Sequence, residues 1–157
     1  MNDVSIRKAT LNDITALQQL EQELIEFERP FDRFLNDSGV IYYDLDALIS
    51  NKESAVFVAE SGAEVVASGY GQMRESKPYI ASEQHCYLGF IYVKSDFRGQ
   101  GLSRKIVETL INWAKSQGVG HFLLDVYSDN DGAIGAYEKF GFKPRSVSME
   151  LMLQEHT

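Results

Sequence analysis

The 157-residue chain has one cysteine, three prolines and only 15 basic residues against 23 acidic ones. A lone Cys86 cannot close an internal disulfide, which excludes a disulfide-stapled secreted scaffold. The N-terminus has no charged-then-apolar leader, so a reducing cytoplasm is the expected compartment. Scarce proline excludes collagen-like and proline-rich disordered chains. No apolar run approaches the ~18 residues that a membrane span needs, so no membrane partner is expected. The shortage of bases leaves a formal net charge of −8, which weighs against nucleic acid, whose binders present a basic face.

What remains is an ordinary globular composition, 44% hydrophobic and 24% charged, of a length that suits one domain spanning residues 1–157. The charge is unevenly spread. Residues 12–60 carry eleven acids against three bases (Arg29, Arg33 and Lys52), whereas residues 61–157 carry eleven against ten. There is no repeat and no low-complexity tract. The sequence leaves the oligomeric state open, a homodimer included.

Hydrophobic periodicity predicts the elements. Residues 4–9 read as a strand; Ile14, Leu17, Leu20, Leu24 and Phe27 then recur at helical spacing, with Glu21, Glu23, Glu26 and Glu28 assigned to the polar face and Pro30 just beyond. A weaker helix is expected around residues 42–49. Residues 55–60 and 64–73, joined by Ser61-Gly62-Ala63, form a hairpin, and residues 87–93 an apolar strand. Leu102, Ile106, Val107, Leu110, Ile111 and Ala114 mark a helix ending before Gly118. A strand over 121–127, a short helix over 130–140 and a final strand with Val147, Met149, Leu151 and Leu153 on one face complete the chain. The fold class is mixed α/β, with antiparallel hairpins and one strand-helix-strand crossover.

The richest chemistry lies where the apolar strand meets the third helix, at Arg98-Gly99-Gln100-Gly101-Leu102-Ser103-Arg104-Lys105. Two glycines at a helix mouth let main-chain N–H groups turn toward an anion, and the helix dipole favours negative charge there. Three bases with no acid between Phe97 and Val107 reverse the sign of the whole chain. The pattern suits a phosphate or pyrophosphate cradle, although it lacks the lysine and Ser/Thr of a P-loop and does not complete a dinucleotide G-x-G-x-x-G. An ordinary glycine turn with solvated bases is the structural alternative. No metal is expected. Asp129, Asp131, Gly132, Ile134 and Glu138 fit part of an EF-hand loop, but Tyr127 stands at its first ligand position and a strand precedes it. His85 and Cys86 are strand neighbours pointing to opposite faces, which does not make a zinc site.

Residues 98–103 resemble the R/Q-x-x-G-x-G/A signature of the GNAT superfamily of acetyl-CoA-dependent N-acetyltransferases, with Ser103 in place of the usual Gly or Ala. A second block in register, from Val126 through Asn130, Ala133, Tyr137 and Gly141-Phe142, is similar to that family's V-x-x-x-N-x-x-A-x-x-x-Y-x-x-x-G-F pattern. The resemblance implies a central, mostly antiparallel sheet with a splayed parallel strand pair and flanking helices. It also implies direct transfer of acetyl from acetyl-CoA to a primary amine in a ternary complex. Ile91, Tyr92 and Val93 would meet the pantetheine arm; Arg98, Gly99, Gln100, Gly101, Leu102 and Ser103 the pyrophosphate; Arg104 or Lys105 the adenosine phosphate; and Asn130 and Ala133 the coenzyme. Asn130 also suits an N-cap. The resemblance gives Tyr137 the role of acid toward the departing thiolate, while its helical stripe with Ala133, Ile134 and Phe140 equally suits core packing.

An amine nucleophile must first lose a proton. The family often places a glutamate on the central strand, but Tyr87 occupies that position here, leaving Glu83 and His85 as candidate bases acting through water. The family builds its acceptor site from the N-terminal helices, whose acidity here suggests a cationic amine; a solvated acidic face is the alternative. Phe27, Phe31, Phe34, Tyr42 and Tyr43 suit either a substrate slot or core. A non-catalytic coenzyme A-binding module using the same cradle is the second functional reading.

Overall fold

A computed structural model describes residues 3–154. Its five-stranded sheet runs in the order β1 (Val4–Lys8), β2 (Ser54–Ser61), β3 (Glu64–Glu75), β4 (Gln84–Val93) and β5 (Phe122–Leu123). The first four strands pair antiparallel and β4 pairs β5 in parallel, as the mixed α/β reading anticipated. Helices α1 (Ile14–Glu28) and α2 (Leu45–Ser50) connect β1 to β2; α3 (Leu102–Ser116) connects β4 to β5; α4 (Asp131–Phe140) follows β5. The β2–β3 turn carries Gly62 at φ 62°, where only glycine is free of strain.

The sheet separates two apolar layers. Leu17, Leu20 and Leu24 of α1 pack with Val56, Val58 and Tyr70 on one face; Ile106, Leu110 and Ala114 of α3 pack with Val66, Cys86 and Leu88 on the other. β4 changes allegiance partway along. Cys86 and Leu88 face the α3 layer, yet Phe90 and Tyr92, in the same alternation, face the α1 layer. The cause is a β-bulge: Tyr70 pairs with Gly89 but Ser68 pairs with Tyr92, and Phe90 adopts a left-handed φ of 54°. One extra residue reverses the parity of every side chain beyond it. The buried Ser68 hydroxyl donates to the Phe90 carbonyl at 2.8 Å, satisfying a group that the bulge takes out of the ladder.

The sequence expectations are corrected in three places. The strand expected over 121–127 is reduced to Phe122–Leu123. Residues 147–153 form no strand, and Val147, Met149, Leu151 and Leu153 are exposed instead of filling one face of the sheet, because no neighbouring strand stands beside them. Glu21 is buried rather than solvated: its carboxylate accepts from the Tyr42 and Tyr43 N–H groups at 2.6 and 3.0 Å, tying the loop before α2 to α1. No helix among the described residues is long and apolar enough to cross a membrane.

Candidate active site

β4 and β5 pair only through Cys86–Phe122 and Tyr87–Leu123, so the remainder of β4 has no neighbour on that side. The opening between them is a cleft of about 380 Å³ with walls from β4, α1, the α3 entrance and α4. Ile91, Tyr92 and Val93 line it with main chain that the bulge has re-aimed. Gly89 lies at its floor under the Tyr70 ring. A Cβ there would sit 2.5 Å from Tyr70 Cζ, so only glycine accommodates this approach.

At the α3 entrance, Arg98 and Ser103 line the cleft, while Gly99, Gln100 and Gly101 form the exposed loop between β4 and α3. Gly99 and Gly101 take φ of 81° and 76°. Gly101 is the N-cap and supplies no side chain, which leaves the first-turn N–H groups of α3 without a side-chain cap. The Arg98 guanidinium donates from Nε to the Val93 carbonyl at 3.0 Å and lies over the Phe27 and Tyr92 rings. Leu102 is buried in the α3 layer. Arg104 pairs with Glu108 at 3.0 Å and covers the Phe140 ring, so its charge is partly spent along the helix.

The α4 wall brings Asn130, Ala133 and Tyr137 into the same cleft. Asn130 caps α4, its side-chain oxygen accepting from the Ala133 N–H at 3.2 Å, which is the N-cap role that its position suggested. Tyr137 is half-buried. Burial first, and then the nearby Glu28 charge, push its phenol up to about 12, so it is protonated throughout the neutral range.

The α1 wall contributes Phe27, Glu28 and Tyr43. Glu28 is the residue that sequence reasoning passed over as one of four acids on a helix face. It is half-buried in the cleft, and desolvation raises its pKa above the ordinary carboxylate value. The Tyr42 hydroxyl, buried and within the field of Glu28 and Tyr127, has no hydrogen-bond partner. Tyr127 donates to Asp32 at 2.9 Å, and Phe31 stacks on its ring. Tyr43 stacks on Phe90 at 4.8 Å, so the aromatic cluster serves core and cleft together. Asp125, also unassigned from sequence, lines the cleft opposite and accepts from the Tyr87 hydroxyl at 2.8 Å; Arg74 lies over the Tyr87 ring.

Glu83 and His85 are placed differently. Glu83 is exposed just before β4, and neither residue lines the cleft. His85 shares a strand face with Tyr87, two residues and ~7 Å away along the strand. It bonds Ser76 at 3.0 Å and meets the His121 ring at 5.9 Å; burial, then His121, lowers its pKa and favours the neutral imidazole. The only signal that could have found Glu28 is its helical spacing from the core residues Leu17, Leu20 and Leu24, which puts it one turn beyond them at the sheet edge. Among the described residues no group of three or more His, Cys, Asp or Glu is placed to hold a metal ion.

A parallel strand pair that opens beyond a bulge thus lies beside an uncapped, glycine-turned helix start, and the two share one cleft. The sequence matches the Acetyltransferase (GNAT) family over residues 14–142, and the chain belongs to that family. Human N-acetyltransferase 8B is 32% identical over 100 residues, 64% of this chain and 43% of that protein. The chain thus matches less than half the length of this relative. A crystal structure of a Bacillus halodurans protein superposes with TM-score 0.85 at 24% identity, covering 96% of this chain and 99% of that one. A predicted acetyltransferase from Clostridium acetobutylicum, solved with acetyl-CoA, gives TM-score 0.76 at 20% identity, covering 98% and 99%. These two likenesses establish the fold.

Proposed function

We propose that the protein transfers an acetyl group from acetyl-CoA to a primary amine on a cationic acceptor, with both substrates bound together. The single observation that carries this reading is that Glu28 and Tyr137, each with a raised pKa, share one cleft on opposite walls. Titratable groups pushed away from their ordinary values in a common cleft are the signature of acid–base work.

The residues present fit the coenzyme. Main-chain groups of Ile91, Tyr92 and Val93 are free of β5 and offer an extended edge to the amides of the pantetheine arm. Residues 98–103, with two left-handed glycines and uncapped N–H groups, suit a pyrophosphate, and Arg98 supplies charge. Asn130 and Ala133 close the α4 side. Acetyl-CoA brings an activated thioester carbonyl; the chain supplies everything else.

Glu28 takes a proton from the acceptor ammonium. The freed nitrogen then forms its bond to the acetyl carbon while the carbon–sulfur bond breaks, β4 N–H groups near residues 91–93 receive the negative charge building on the oxygen, and the proton that the new amide nitrogen sheds passes through solvent to the thiolate, leaving amide and free thiol. Tyr137 directs its hydroxyl at the departing sulfur. A phenol at about 12 facing a thiol of ordinary pKa ~8.5 does not give up its proton outright. It stabilises the thiolate by a hydrogen bond to a charged group, an effect worth ~1.5–3 kcal/mol. Glu83 and His85, which do not line the cleft, would reach the amine only through water.

The acceptor end is acidic and aromatic. Glu28 and Asp32, with Phe27, Phe31 and Tyr127, offer carboxylates and ring faces that together favour an ammonium over a neutral or anionic amine. A thiol-release assay with acetyl-CoA and a panel of polyamines, amino sugars, neutral amines and acidic amines tests the proposal. Turnover led by the cationic acceptors supports it, and preference for acidic ones overturns the acceptor class. Coenzyme binding without turnover on any amine would favour the non-catalytic binding module.

A further inference from the structure

The end of β4 remote from the α3 entrance carries a second charged cluster, and none of its members lines the cleft. Arg74 on β3 is the ladder partner of His85 on β4. The Cys86 N–H donates to the His121 carbonyl at 2.8 Å and Cys86 pairs with Phe122, so His121 stands beside His85. The three side chains make a row across neighbouring strands. They share the sheet face of Tyr87, because Arg74, His85 and His121 alternate with Met73, Cys86 and Phe122 of the α3 layer. Arg145, beyond α4, adds a fourth basic group that acts on His85.

Like groups in adjacent positions repel, and nothing on the chain relieves this row. Among the described residues neither Arg74 nor Arg145 forms an ion pair. Arg74 donates from Nε to Gln72 at 2.9 Å and lies over the Tyr87 ring, which fixes its place. Glu83, two residues before His85, is exposed and bonds none of the four, and Glu75 alternates to the opposite face. Burial, then His121, Arg74 and Arg145, lower the His85 pKa. In a chain of net charge −8, this is a gathering of bases without a partner.

Both imidazoles are also oriented. Ser76 Oγ lies 3.0 Å from His85 Nδ1, Ser82 Oγ lies 2.6 Å from His121 Nδ1, and the ring centroids are 5.9 Å apart. A serine that donates to Nδ1 leaves the proton of a neutral ring on Nε2. Each ring then offers an Nε2–H donor beside the guanidinium groups, even before it is protonated. A metal cation suits the cluster poorly, since the two arginines repel it.

We propose that Arg74, His85, His121 and Arg145 form a binding site for a compact oxyanion, either free phosphate or the phosphate group of a small monoester, separate from the reacting amine. Guanidinium forks match two oxygens of such a group, and the imidazole N–H groups supply further directed donors. The site touches the cleft through Tyr87, whose ring carries Arg74 and whose hydroxyl donates to Asp125. The inference stands apart from the proposed reaction and is tested without it.

Nuclear magnetic resonance of the histidine ring nitrogens in the whole protein reads the site, with inorganic phosphate and methyl phosphate as probes and chloride at matched ionic strength as control. Both rings should respond to phosphate, and saturation should return the His85 pKa to its ordinary value or above, because a bound anion favours the imidazolium. Arg74→Gln and His121→Gln should each weaken phosphate binding by at least about 5-fold while the amide spectrum of the α1 and α3 layers is kept. Tighter binding of methyl phosphate assigns the site to a monoester, and tighter binding of the inorganic ion assigns it to free phosphate; either supports the proposal. No response at the two rings, a response that chloride reproduces, or binding indifferent to both variants overturns it.

Discussion

The two sides of β4 behave as different materials. Toward β3 it is paired along nearly its whole length, with layers on both faces and core residues such as Leu88 at 1% exposure. Toward β5 it is paired at two positions and then opens. The same strand is therefore held as scaffold on one edge and leaves main chain open to the cleft on the other. The bulge at Phe90 is what separates the two uses. Strain at one residue, held by Ser68 and by the Tyr70 ring over Gly89, marks the border between them.

Substitutions on the open side should cost activity and leave stability nearly intact, whereas the closed side should show the reverse. The largest effect is expected for Glu28→Gln, a fall of ~10²–10⁴ in kcat near neutral pH with the midpoint of thermal unfolding little changed. The base must be ionised, and its pKa is raised, so wild-type activity should drop as pH falls through a value above the usual carboxylate range. Glu28→Gln should lack that limb in a pH–rate profile, and a retained limb would move the base elsewhere. Tyr137→Phe comes next, with turnover lowered ~10–100-fold, the equivalent of one hydrogen bond to a charged atom. Coenzyme affinity measured by calorimetry should be preserved; unchanged turnover would remove Tyr137 from the mechanism.

Gly89→Ala probes the border itself. The added methyl meets the Tyr70 ring and should cost about 1–3 kcal/mol in denaturant unfolding, as overpacking does, together with a weaker hold on the coenzyme. The smallest effect belongs to the closed side. Arg7 bonds Asp13 at 2.9 Å and Glu60 at 3.0 Å, joining β1, the start of α1 and β2, and holds both carboxyls below their ordinary values. Depressed acid pKa values add stability above the unfolded-state pKa that is lost as pH falls through the folded one. Arg7→Met should therefore lower stability slightly at pH 7, and by less at a pH low enough to protonate both acids. Unfolding followed at pH 7 and pH 2.5 separates the two.

Much of the closed side was legible in the sequence because apolar spacing reports which face is buried: Leu17, Leu20 and Leu24, and Ile106 and Leu110, fall where their period puts them. The Arg98–Ser103 loop was legible for another reason, since left-handed turns at Gly99 and Gly101 require that residue type. Phe90 was hidden because nothing in a phenylalanine announces a left-handed backbone. Glu28 was hidden because its significance comes from β4 and α4, far away in the chain. Glu21 misled for the opposite reason: its burial depends on the Tyr42 and Tyr43 N–H groups of a loop with no periodicity. Val147 to Leu153 illustrates the limit of periodicity. Alternation specifies an apolar face, but not which edge will cover it.

The central claim is that the coenzyme occupies the opening between β4 and β5 and spares the closed edge. Hydrogen exchange with and without coenzyme A tests it directly. Amides of residues 88–93 and 98–103 should slow on binding, while those of β1 and β2 should stay unchanged. Binding that leaves residues 88–93 and 98–103 unaffected would contradict the account.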